Sequence, residues 1–116
     1  FTKLNTQEFR FYGFYHRIRE KLEQFWGANL QQEMERIYSS GRSIASGKNF
    51  LTSLVIKMNA KGEIIKIQLN STSGIQELDE IAISSFNEAG PFPNPPKKML
   101  NDGVATIKWG FAVTSN

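Results

Sequence analysis

The sequence predicts an α+β domain: a three-stranded antiparallel sheet, strand order second–first–third, with helices packed on one face. Three observations carry this. Residues 50–70 alternate apolar and polar side chains on either side of a short glycine turn, the pattern of a β-hairpin. Residues 71–96 join a helix-start signal, an amphipathic helix and a proline-rich exit. Residues 103–114 alternate again and end the chain on a lone strand.

Each element follows from its residues. Asn5 to Trp26 reads as a helix, capped by Asn5 with Glu8 at the capping-box position. Phe11, Tyr15, Ile18, Leu22 and Phe25 form its apolar stripe. Phe9, Tyr12 and Phe14 lie partly off it and predict burial on more than one side. Gly27 and Ala28 break the pattern, and Leu30, Met34 and Ile37 predict a second short helix to about Tyr38. Ser39 to Asn49 reads as a loop.

In the hairpin, Thr52, Leu54, Ile56 and Met58 share one face, and Ile65, Ile67 and Leu69 are expected inward. Ala60, Lys61 and Gly62 make the turn, with Gly62 supplying a positive φ. Ser71 to Ser73 are expected to cap the next helix. Its buried stripe is Ile75, Leu78, Ala82, Phe86 and Ala89, with acids facing solvent; Gly90 and Pro91 end it. Phe92 to Lys98 holds three prolines and reads as a rigid connector whose Phe92 plugs the core. Ile107, Trp109, Phe111 and Val113 form the inward face of the last strand. A right-handed crossover lays that strand beside the first and leaves it a free edge, unless residues 39–49 or another molecule cover it.

Composition sets outer bounds. The 116 residues suit one domain, divided into N-terminal helices and loop (1–49) and a hairpin–helix–strand core (50–114). Without cysteine there is no disulfide framework and no thiolate metal site. No apolar run approaches the roughly 20 residues of a membrane helix. The chain begins at Phe1, so we expect a fragment or processed product whose membrane anchor lies outside it. A net charge of +3 permits contact with anions without requiring it.

Catalytic, cofactor and metal readings fail on the residues. His16 is the sole imidazole, a poor basis for a transition-metal site. Asp79 and Glu80, and likewise Glu77 and Asp79, lie too close in sequence to share a helix face as an acid–base pair. Ser71, Ser73, Ser84 and Ser85 have no local base. Arg10, Tyr12, Tyr15, His16, Arg17 and Arg19 mix bases with aromatics, but Tyr15 belongs to the buried stripe and no nucleic-acid-binding signature appears. A solvated helix face is the reading there, with no nucleic-acid partner.

The order of motifs resembles a known family. The hairpin with K-G-E, the S-T-S-G before a helix, L-D-E-I-A within it, F-P-N-P-P after it and the aromatic final strand are similar to the TonB C-terminal domain family. His16 to Trp26, H-R-I-R-E-K-L-E-Q-F-W, resembles the helix before the hairpin in TonB-like and TolA-like members. No Tyr-Pro dipeptide of the kind found in transporter-engaging TonB proteins occurs in Phe1–Tyr12, which keeps a TolA-like role open. The resemblance implies a non-enzymatic periplasmic domain of an inner-membrane-anchored transducer, engaging outer-membrane or periplasmic proteins. It also implies strand addition at the last strand, with Val104, Thr106, Lys108 and Gly110 as the edge residues. A homodimer through the same edge and a scaffold domain held by its helices are the alternatives, and a basic nucleic-acid-binding module ranks behind them.

Overall fold

The structure, a computed structural model, describes residues 6–42 and 48–114. The expected cap at Asn5 and the middle of the expected loop, residues 43–47, lie outside the described residues. In chain order the elements are α1 (Thr6–Arg10), α2 (Tyr12–Ser39), β1 (Asn49–Asn59), β2 (Ile64–Ser71), α3 (Gln76–Ala89), a 3₁₀ turn (Lys97–Met99), β3 (Leu100–Asn101) and β4 (Val104–Thr114). The sheet order is β2-β1-β4-β3 with every neighbouring pair antiparallel. The expected neighbours of the first strand are therefore correct. The sheet has four strands rather than three, because β3 adds to the outer side of β4.

The helices depart from expectation in two ways. The first interrupts at Phe11, whose backbone leaves helical geometry (φ −117°, ψ 42°). The second does not break at Gly27. It runs 28 residues, about 42 Å at 1.5 Å per residue. Gly27 is exposed, with open space where a Cβ would stand, so it costs α2 only ~1 kcal/mol against alanine. Burial at Leu22 and Ile37, with partial burial at Trp26, Leu30, Glu33 and Met34, carries one stripe through the glycine. Helix α2 stops where Gly41 takes φ +84°. Gly41 N–H donates to Tyr38 O at 3.1 Å and Arg42 N–H to Ile37 O at 3.2 Å, a Schellman closure. Of the three off-stripe aromatics, only Phe14 is buried; Phe9 and Tyr12 face solvent.

The sheet buries one face. Thr52, Leu54, Ile56 and Met58 of β1 and Ala105, Ile107, Trp109 and Phe111 of β4 are buried under the helices, as the alternation predicts. Strand β2 differs. The register shifts between Lys57 and Met58, so Met58 pairs with Ile64 and Ile65 becomes an extra residue. Ile64 and Ile67 pack against the core, whereas Ile65 is exposed. Leu69 lies opposite Leu54, hence on the helix side, yet stays exposed on the outermost strand.

Phe86 of α3 centres the core. Its ring meets Phe92, Trp109 and Phe111 edge-on, each at 5.8 Å between centroids. Tyr15 of α2 stacks on Trp109 at 5.8 Å, and Trp26 lies 4.4 Å from Phe111. Burial, then the Glu8 charge, pushes the Tyr15 phenol up from its ordinary pKa. Its hydroxyl donates to Gln7 Oε1 at 2.9 Å.

The proline segment is a strap, as expected of a rigid connector. Phe92 is buried. Helix α2 grips the strap's carbonyls: Lys21 Nζ donates to Pro91 O at 2.6 Å, and Arg17 Nη2 donates to Asn94 O at 3.2 Å and to Pro93 O at 3.4 Å.

Candidate functional site

The site is built by the hairpin between β3 and β4. Asp102 (φ 52°) and Gly103 (φ 78°) both take positive φ, the type I′ geometry that Asp-Gly favours. The two-residue loop makes Asn101 and Val104 the closing pair. Val104 therefore aims its backbone N–H and C=O away from β1. A second observation agrees: Asn59, opposite Val104, donates its own N–H to Glu63 across the β2 turn at 2.9 Å. Because backbone groups alternate along a strand, Thr106, Lys108, Gly110 and Ala112 aim theirs the same way.

Of the expected edge residues, Val104 is thus already paired, with Asn101, and drops out as an open position. Thr106, Lys108 and Gly110 lie beyond β3, and all three are exposed. Among the described residues no strand pairs with β4 on this side past Ala105. The edge is partial: among the described residues β4 is paired with β3 through Ala105, where Met99 comes to face Thr106, and has no partner strand from Lys108 onward.

Side chains flank this edge on both faces. On the open face of the sheet, Lys108 lies opposite Val55, and Lys57 lies opposite both Lys66 and Thr106. Strands β1, β2 and β4 contain no acid. On the helix side a cleft of about 190 Å³ runs between Arg19, Leu22, Glu23 and Trp26 of α2 and residues 109–112 of β4. The Arg19 guanidinium sits 5.5 Å from the Trp109 ring.

The loop before α3 is organised from within the helix. Ile75 stands at the N-cap without a side-chain cap bond, correcting the expected serine cap. Asp79 reaches back instead. Its Oδ1 accepts from Thr52 Oγ1 (2.7 Å), Ser73 Oγ (2.8 Å) and Ser73 N–H (3.0 Å), and its Oδ2 accepts from Thr72 Oγ1. Asp79 is therefore buried, not solvent-facing as expected. Burial works to raise its pKa, but the hydrogen bonds from Thr72, Ser73 and Thr52 outweigh it and hold the carboxyl below the usual carboxylate range. At the helix's exposed side, Arg42 Nη2 donates to Glu77 Oε1 at 3.1 Å, which lowers the Glu77 pKa.

None of these groups forms a catalytic arrangement. The Asp79 oxygens are occupied by structural donors, and Ser84 Oγ donates to Ile81 O at 3.2 Å. His16 stacks on Tyr12 and pairs with Glu20 at 2.7 Å on the surface. Among the described residues no group of three or more acids and histidines could hold a metal ion. Among the described residues no helix is long and apolar enough to cross a membrane.

Sequence reasoning made the last strand the free edge of the sheet, whereas β3 lies outside β4 and covers its start. It missed β3, although Asp102-Gly103 is a strong hairpin signal, and it missed the α2–β4 cleft, which no local pattern encodes. A family model described as TonB C terminal matches residues 11–107. No curated protein and no solved structure matches the chain. The match spans α2, the β1–β2 hairpin, α3, β3 and the first four residues of β4, so Lys108 and Gly110 lie beyond it. The chain belongs to the TonB C-terminal domain family.

Proposed function

We propose that this domain is the periplasmic, non-enzymatic end of a TonB-like or TolA-like transducer, binding outer-membrane or periplasmic proteins by strand addition along β4. Thr106, Lys108 and Gly110 form the docking edge, while Val104 serves the hairpin that closes it. The observation that carries this reading is the partial edge itself. Among the described residues, no strand takes up the outward backbone donors and acceptors from Lys108 to Ala112. Each backbone bond contributes only ~1 kcal/mol net. Several formed side by side give modest affinity, exchangeable partners and a shared load under tension.

The same edge also suits a second copy of the chain, so a homodimer competes with partner binding. A second reading, a scaffold domain held by its helices, is favoured by Phe9 and Tyr12, exposed at the start of the helical layer.

Gly110→Pro separates these readings, since it removes an edge donor without removing a bond to β1. The probes are extended peptides from the periplasmic faces of outer-membrane proteins, with folding checked by circular dichroism. Lost binding in a folded domain supports strand addition. Retained binding supports the helix surface and rejects the edge.

A further inference from the structure

The α2–β4 cleft opens at the edge a partner would occupy. Its walls include Trp109 and Phe111, which face the helices, and also Gly110 and Ala112, which face the other way. Only a cleft at the strand's margin touches both sets. No β1 residue lines it, so the margin is the outer one. Side chains of an added strand alternate between faces. A residue paired with Trp109 would point toward α2 and into this cleft. Its sequence neighbours would point to the open face, one of them beside Lys108.

The two faces ask for different chemistry. Trp26, Trp109 and Leu22 offer apolar surface to the cleft, and about 190 Å³ accommodates one large apolar side chain. The open face is positive. Lys57 and Lys66 stand directly opposite one another, a like-charge pairing that disfavours the isolated sheet. No acid lies on β1, β2 or β4; Asp102 of the β3–β4 turn borders the same depression as Lys57, Lys66 and Thr106. Lys108, farther along β4, has no ion pair among the described residues.

We propose that the cleft is a specificity pocket for the added strand, and that the segment it selects carries a large apolar residue directly beside an acid. The apolar side chain fills the space between Trp26 and Trp109, and the acid meets Lys108. This rests on strand addition at β4 and supplies its selectivity.

Short strand-forming peptides of Thr and Ser test it, carrying a central Phe-Asp, Phe-Lys, Thr-Asp or Thr-Thr pair. Binding is read as amide shifts along β4. The Phe-Asp peptide is expected to bind about tenfold more tightly than the Thr-Thr peptide, a difference of about 1.4 kcal/mol. Lys108→Glu, at an exposed position, is expected to reverse the order of Phe-Asp and Phe-Lys. Trp26→Ala is expected to abolish the preference for Phe while leaving Thr-Asp binding in place. Equal binding by all four peptides, with shifts still on β4, overturns the pocket and leaves strand addition standing. Absence of β4 shifts with every peptide overturns both.

Discussion

The backbone of Gly62 sits against the backbone of Phe92. Phe92 N–H donates to Gly62 O at 2.9 Å, and a Cβ on Gly62 would lie 1.8 Å from Phe92 O. Gly62 also holds φ +83°, a conformation other residues rarely adopt. The hairpin turn and the proline strap are thus joined by a contact only glycine permits. That contact helps seat Phe92 under Phe86. Gly62→Ala is expected to destabilise the domain by about 2–4 kcal/mol through strain and lost core packing. Urea unfolding monitored by tryptophan fluorescence reads the loss. An unchanged midpoint would refute the contact.

Gly27 presents the opposite case. It lies mid-helix, exposed, with open space around it. Gly27→Ala is expected to stabilise the domain by about 0.5–1 kcal/mol. A helix broken at this position would gain nothing, so a shift in thermal midpoint reports directly on the continuity of α2.

Asp79 predicts an acid-dependent stability. Its folded pKa is depressed, so its contribution is complete above the unfolded value of about 3.9 and is lost as pH falls through the lower folded value. Glu77, depressed by Arg42, titrates in the same direction. Unfolding free energy measured from pH 6 down to pH 2 should therefore fall less steeply in Asp79→Asn than in the native chain. Asp79→Ala at pH 7 leaves the donors of Thr52, Thr72 and Ser73 without their acceptor and is expected to cost about 2–4 kcal/mol. Parallel pH profiles for the native chain and Asp79→Asn would reject the assignment.

Amide exchange reads the parity of β4. Ile107, Trp109 and Phe111 direct their N–H groups to β1 and should be strongly protected. Lys108, Gly110 and Ala112 direct theirs outward and should exchange orders of magnitude faster in the free monomer. Val104 should be protected through Asn101. Gly103→Ala strains the type I′ turn, and the Val104 amide should then exchange faster. Protection at Lys108 and Gly110 that disappears on dilution would identify the edge as a self-association surface.

The sequence by itself determined the inward faces of β1 and β4, the stripe of α3, the glycine of the first turn and the burial of Phe92. These follow from local periodicity and backbone preference, which a few neighbouring residues encode. It also held the Asp102-Gly103 turn, legible but overlooked, because the two residues of β3 are too short to show a pattern of their own. Tertiary structure alone decided the rest. The bulge that exposes Ile65 depends on how β2 meets β1. Gly27 stays helical because the stripe beyond it, ending at buried Ile37, is held against α3. Asp79 is drawn inward because Thr52, 27 residues earlier, completes its shell of donors. The cleft beside β4 exists only where α2 packs over that strand beyond the reach of β3. Such features rest on contacts between distant segments, whose free energy appears only once the chain has closed around them.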